Sequence, residues 1–271
     1  MKVVIETSAL IAGAVFWKFE HGNVTCEVKD KYYEHCSPLF DVLKELSRSR
    51  EEIGIITKTV ENEAKNALEN AVKNSIARTH FPDLEIKFKI MALQHIIYNE
   101  CLDRLERIVE ETSVRLPIDL NERERIKNQE IIPFLEETIK DTVRYIQPSI
   151  PRFIRGPLRD ELTGKMLEAL PSKGIIYKGP PRPKDYVIMA EAAMICRRYE
   201  GKEEVFVASK DNHFKPNPIR VGSYLSPKSR ILNEVDTTIR DRIAKKFGFI
   251  GEDPIQVTEI LMKKYQHLLR T

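Results

Sequence analysis

The sequence predicts an α/β fold built on a parallel sheet, with an all-helical insertion. Three observations lead there. Short apolar runs at 2–5, 53–56 and 205–208 read as buried strands. Stretches of helical periodicity separate them, and strands alternating with helices imply parallel pairing. From about 75 to 150 the chain changes character, to long, highly charged amphipathic helices.

Taken in order, Val3, Val4 and Ile5 make the first strand, and Thr7-Ser8 caps a short apolar helix over 9–16. Residues 18–33 are polar and irregular, with a hairpin around Gly22-Asn23. Ser37-Pro38 then starts a helix through Leu39, Val42, Leu43 and Leu46. After the strand at 53–56, Thr57 or Thr59 caps a helix whose inward stripe is Val60, Ala64, Ala67, Leu68 and Ala71. The helices that follow break near Pro82, Pro117 and Pro133. Pro-rich stretches at 148–157 and 179–183 lead to a helix over 185–199, and the strand 205–208 runs into the loop Ser209-Lys210-Asp211-Asn212-His213. A weaker strand at 219–221 and helices at 237–247 and 254–269 complete the reading, and no internal repeat is present.

Composition narrows the class. With 271 residues, 42% of them hydrophobic, the chain can bury a full core, which excludes a disordered or fibrous protein. No apolar run approaches the roughly 20 residues of a membrane span, and the N-terminus reaches Glu6 too early for a signal peptide, so a cytoplasmic protein is expected. Four cysteines without a CxxC pair point to reduced thiols rather than a disulfide framework. His21, Cys26, His35 and Cys36 offer soft ligands for zinc, but their spacing matches no standard finger. The high content of Glu and Lys with little Gln resembles a thermophilic composition.

Charge distribution says more than the net charge of +3. Ten basic residues against four acidic ones between 140 and 184 give that connector a net of +6, suited to following a phosphate backbone. A solvated charged face explains it equally well. Arg152, Arg155 and Arg159, with Phe153, Tyr177 and Trp17, are the cationic and aromatic types used by single-strand binders, although ordinary packing accounts for the aromatics. The acidic stretch at 100–137 would repel phosphate. No Gly-rich phosphate loop, Ser-His-Asp order or dinucleotide fingerprint occurs.

Open parallel sheets place their sites beyond the carboxyl ends of the strands. Glu6 ends the first strand, Asp211 lies just past the strand at 205–208, and Glu61 and Glu63 sit on the helix after the strand at 53–56. Asp185 opens the helix preceding 205–208, in line with Ile188, Met189, Ala192 and Cys196, which directs it inward. Carboxylates gathered in one crevice repel unless a cation neutralises them, and oxygen-only donors select Mg2+ or Mn2+. Each acid also has an ordinary structural use. Asp185 serves as a helix cap, Glu6, Glu61 and Glu63 as complements to helix dipoles, and Asp211 as the anchor of an Asx-turn.

Four segments together resemble the PIN domain family. They are Val3-Val4-Ile5-Glu6-Thr7-Ser8-Ala9-Leu10, Thr57-Lys58-Thr59-Val60-Glu61-Asn62-Glu63, Lys184-Asp185-Tyr186-Val187-Ile188-Met189-Ala190-Glu191-Ala192, and Phe206-Val207-Ala208-Ser209-Lys210-Asp211-Asn212-His213-Phe214. The resemblance covers about 1–75 and 183–230 and implies a PIN-like, Rossmann-like three-layer fold with helices on both faces of a central parallel sheet. It organises the chain as a discontinuous PIN-like domain at 1–75 and 183–235, a helical insertion with the basic connector at 76–182, and a C-terminal helical extension at 236–271. It further implies Mg2+- or Mn2+-dependent cleavage of RNA, with Glu6, Glu63, Asp185 and Asp211 as catalytic metal ligands. Choosing Glu63 over Glu61 rests on the family alone, because the two flank the apolar stripe at nearly equal angles. Ser8, Lys210, Asn212 and His213 join Arg152, Arg155 and Arg159 as candidates for contacting RNA. One departure stands out, since the family has Asp where this chain has Glu6, and an added methylene exceeds the positioning tolerance of a catalytic site. The alternatives are a catalytically silent PIN-like RNA- or protein-binding module and the toxin of a toxin-antitoxin pair. Homo-oligomer formation stays open.

Overall fold

The computed structural model describes residues 1–14, 18–20, 23–25, 31–78, 83–135, 137–138, 183–200, 202–210 and 241–269. These fall into two compact units, one of Lys2–Pro117 with Asp253–Thr271, the other of Met1 with Ile118–Glu252. The fold is α/β. Five strands pair in parallel among the described residues, and the one antiparallel pairing is a small hairpin. No described helix is long and apolar enough to cross a membrane.

In the first unit, β1 (Lys2–Ile5) leads into α1 (Thr7–Ala14), the hairpin strands β2 (Lys18–Glu20) and β3 (Asn23–Thr25), and α2 (Lys31–Arg48). Then come β4 (Gly54–Thr57), α3 (Lys58–Arg78), α4 (Leu84–Thr112) and β5 (Val114–Leu116). Strand β4 lies between β1 and β5, with Val3 opposite Gly54 and Ile55 opposite Val114. Val3, Val4 and Ile5 are wholly buried and all of β4 is buried, the pattern of strands covered on both faces.

The hairpin expected around Gly22-Asn23 is present, with Glu20 opposite Asn23. Several other local expectations shift for physical reasons. Helix α2 begins seven residues before Pro38 and carries it in its interior, despite the amide hydrogen that proline lacks. It ends through Glu51 N–H donating to the Leu46 carbonyl at 3.0 Å, with Arg50 at φ 64, a left-handed position that usually falls to glycine. Thr57, not Thr59, caps α3, its hydroxyl accepting from Val60 N–H at 3.3 Å. The buried stripe of α3 is Val60, Ala64, Leu68 and Val72, with Ala67 only half-buried.

Strand β5 falls inside the stretch expected to be all-helical. Three residues, Val114 to Leu116, are too short to announce a strand, and pairing with β4 is what makes them one. The approach of α4 to β4 explains Gly54, because a Cβ there would stand 2.1 Å from the Thr112 carbonyl oxygen. Asp83 caps α4 by accepting from Glu85 N–H at 2.8 Å, which agrees with the break expected near Pro82. The apolar residues Leu84, Phe88, Met91 and Ile96 of α4 are exposed. The last helix of this unit, α8 (Pro254–Lys264), is capped by Asp253 and packs against α2. It stops at Lys264, five residues short of the expected end.

In the second unit, α5 (Leu120–Ile126) runs through a π-helical turn, Lys127–Ile131, into helical residues 132–135. Pro133 therefore does not break the helix. Proline offers no amide hydrogen and crowds the carbonyl four residues before it, and the widened turn immediately upstream relieves that crowding. Helix α6 (Pro183–Tyr199) packs on α5, and the strand β6 (Val205–Ala208) is buried throughout. A helical segment, α7 (241–247), turns at Gly248, whose φ of 85 suits glycine, into β7 (Phe249–Glu252). This strand lies in the stretch expected to be helical extension, and it pairs in parallel with β6. Phe247 meets Phe134 edge to face at 5.3 Å and stacks on Phe249 at 6.5 Å, which locks α7 and β7 to residues 132–135.

Candidate functional site

Glu6 is 5% exposed and stands where β1 passes into α1. Its carbonyl accepts the first helical bond from Leu10 N–H at 3.0 Å. Its side chain folds back, so that Oε2 accepts from Ser8 N–H at 2.8 Å and from the Ser8 hydroxyl. Glu6 itself is thus the cap of α1, and Thr7 and Ser8 lie inside the first turn rather than before it. Serine and aspartate are the usual caps, but a carboxylate at a helix N-terminus also meets the positive end of the dipole. The ordinary structural use of Glu6 is therefore realised, and the serine proposed to touch RNA has its hydroxyl turned to this carboxylate.

Thr7 makes the second connection. It is 4% exposed, and its hydroxyl donates to Glu63 Oε2 at 2.8 Å, joining the start of α1 to the second turn of α3. Glu61, two residues earlier on α3, goes elsewhere. Its Oε1 lies 3.1 Å from Lys65 Nζ and its Oε2 3.2 Å from Arg115 Nε on β5, while Lys65 also reaches Glu106 at 2.6 Å. Burial alone would raise the Glu61 carboxyl, but the Lys65 hydrogen bond and the Arg115 charge overcome it and hold it below the ordinary value. Periodicity left the two glutamates equivalent. Packing separates them, sending Glu61 to an ion-pair network and Glu63 to the first turn of α1.

In the other unit Asp185 occupies the first turn of α6 and is 4% exposed. The face it was expected to share, Ile188, Met189, Ala192 and Cys196, is buried as the helical wheel requires. Burial also pushes the Cys196 thiol up to about 12, marking it as an inert core residue. Ser209 is wholly buried, and its N–H donates to the Glu252 carbonyl at 3.0 Å, extending the β6–β7 pairing by one residue. Lys210 follows, half-buried.

Asp211, Asn212, His213, Arg152, Arg155 and Arg159 lie outside the described residues, as do Trp17, Phe153, Tyr177, His21 and Cys26. Cys36 is wholly buried in the core. Among the described residues, no three His, Cys, Asp or Glu side chains are grouped so as to hold a metal ion.

One buried acid escaped the sequence reading. Glu191 is 1% exposed, and its Oε1 lies 3.3 Å from Arg123 NH1 on α5. The signal was present, because Glu191 stands among Ala190, Ala192 and Ala193 near the inward face of α6, but its partner lies 68 residues away in sequence.

No family model matches the sequence, and neither a curated protein nor a solved structure matches it.

Proposed function

We propose that the chain is a metal-dependent endoribonuclease. The observation that carries this reading is the pair of anchored carboxylates after β1, with Glu6 held by Ser8 and Glu63 held by Thr7. They stand at the carboxyl end of a parallel strand, where sites of α/β proteins form. A buried carboxylate is costly unless paired or hydrogen-bonded, and Glu6 and Asp185 are both almost fully buried. The resemblance to PIN domains adds the order of the four acids along the chain.

The resemblance would make Glu6, Glu63, Asp185 and Asp211 the residues that hold the ion, and oxygen-only donors suit Mg2+ or Mn2+. Such an ion supplies a water of lowered pKa and neutralises charge on the phosphodiester. The chain's own residues fix carboxylate orientation before substrate arrives, which is the contribution of Thr7 and Ser8. Arg152, Arg155 and Arg159 in the basic connector would follow the RNA backbone.

A catalytically silent RNA- or protein-binding module is the second reading, and one observation favours it. Glu6 Oε2 is committed to capping α1, on a side chain one methylene longer than the family's aspartate. Cleavage of end-labelled single-stranded RNA and DNA in Mn2+, Mg2+ or EDTA decides between them, with Asp185→Asn and Asp211→Asn as controls. The nuclease reading expects RNA cleavage that needs metal and falls at least about 100-fold in both variants. Folded protein that cleaves nothing in either metal would sink it in favour of the module.

A further inference from the structure

We propose that the N-terminal half of α4 is a self-association surface, which pairs antiparallel with the same face of a second copy of this chain. The pairing goes beyond the nuclease reading and does not depend on it. Leu84, Phe88, Met91, His95, Tyr98 and Leu102 follow one another at alternating steps of four and three residues. Leu105, Val109 and Thr112 continue the same repeat to the end of the helix. Such spacing makes a seam for another helix, apolar at nearly every position. The C-terminal end of the seam is covered within the unit, with Leu105 and Val109 wholly buried and Thr112 nearly so. Tyr98 and Leu102 are half-buried, while Leu84, Phe88, Met91 and His95 are exposed. One repeat therefore runs from core to solvent along a single helix.

Leu84 is 72% exposed, Phe88 66% and Met91 48%, which leaves roughly 350 Å² of apolar side chain open. With His95 and Ala92 added, two copies would bury about 1,000 Å², the size at which a specific interface begins. The flanks of the seam suit a copy of itself. In an antiparallel pair Glu85 meets Ala92 of the other copy and Lys87 meets Gln94, so no like charges oppose each other. Glu85 is also neutralised by Lys89 of its own helix at 2.7 Å. The buried end of the seam sets the direction. A parallel second copy would bring the two bodies around Leu105 and Val109 side by side, whereas a two-fold axis crossing the helices between Phe88 and Met91 sends them to opposite ends. Phe88 of each copy then lies on Met91 of the other, ring against thioether, and Leu84 lies on His95.

Sedimentation equilibrium of the full chain from about 1 to 100 µM reads the oligomeric state. The expected wild type is a dimer. Phe88→Glu and, separately, Met91→Glu each set a carboxylate against the apolar face twice per dimer, and should raise the dimer dissociation constant at least about 100-fold. Both side chains are exposed, so the far-UV circular dichroism of the variants should match the wild type. Met262→Glu, 53% exposed on α8 and off the seam, should leave the dimer intact. Direction is read by oxidation. Leu84→Cys combined with His95→Cys should give a covalent dimer, and Leu84→Cys alone should not, because the two copies of residue 84 stand about 16 Å apart along the pair. A wild type that is monomeric throughout overturns the proposal and leaves the face to a different protein. A dimer that survives both glutamate variants, or that Met262→Glu dissociates equally, overturns it as well. Cross-linking by Leu84→Cys alone overturns the antiparallel pairing.

Discussion

Replacing Glu191 by Met tests whether the buried pair between α5 and α6 holds the second unit together. Glu191 is 1% exposed and its partner Arg123 17% exposed, with 3.3 Å between Oε1 and NH1. Removing one member of a buried pair leaves the other charge uncompensated, which costs about 3–5 kcal/mol. Arg123 keeps part of its solvation and a second carboxylate, Glu124, at 3.1 Å, so the lower end, about 3 kcal/mol, applies. For a chain of this size that is roughly 6–12 °C in melting temperature. Replacing both residues by Met removes the charge imbalance as well as the pair, and apolar substitution of a whole buried pair is often neutral. The double variant should therefore recover most of the loss, giving a coupling of about 2 kcal/mol in the double-mutant cycle. Calorimetric melting of the four proteins at one pH provides the numbers. A Glu191→Met loss under about 1 kcal/mol, or losses that simply add, would refute the argument, because either means that the pair is solvated rather than buried.

Two further predictions concern a pair of glycines and one ion pair. Gly54→Ala places a Cβ 2.1 Å from a backbone carbonyl oxygen that cannot rotate away, so β4 or the end of α4 must move, with an expected loss above about 4 kcal/mol. In Gly248→Ala the nearest side-chain atom is 3.6 Å away and only the positive φ opposes the change, so chemical denaturation should find roughly 1 kcal/mol. Equal losses in the two variants would show that steric approach does not explain Gly54. For pH, Glu61 has a folded pKa below its unfolded value, so its stabilisation is complete above the unfolded value, about 4.3, and is lost as pH falls through the folded one. The stability gap between wild type and Glu61→Gln, measured by urea denaturation, should shrink as pH falls below the unfolded value of about 4.3. A gap that stays constant would mean that Lys65 and Arg115 do not bind the ionised form preferentially.

The sequence by itself determined the parts whose signal is local. Three apolar runs became β1, β4 and β6 within a residue of their expected bounds, because a strand buried on both faces needs an uninterrupted apolar stretch. The inward line of Asp185, Ile188, Met189, Ala192 and Cys196 followed from the helical repeat, and all five are buried. Tertiary structure decided whatever depends on a distant partner. Strands β5 and β7 have three and four residues and weak patterns, and they exist because β4 and β6 offer unpaired backbone edges. Pro133 continues a helix because a π-helical turn precedes it, which composition does not reveal. The site divides the same way. The residue types and their order were legible, but whether Glu61 or Glu63 turns toward β1 depends on Arg115 claiming one and Thr7 the other. A helical wheel records angles about one axis, whereas a carboxylate's orientation is set by the donors around it, and Arg115 and Thr7 lie more than fifty residues away from Glu61 and Glu63 in sequence.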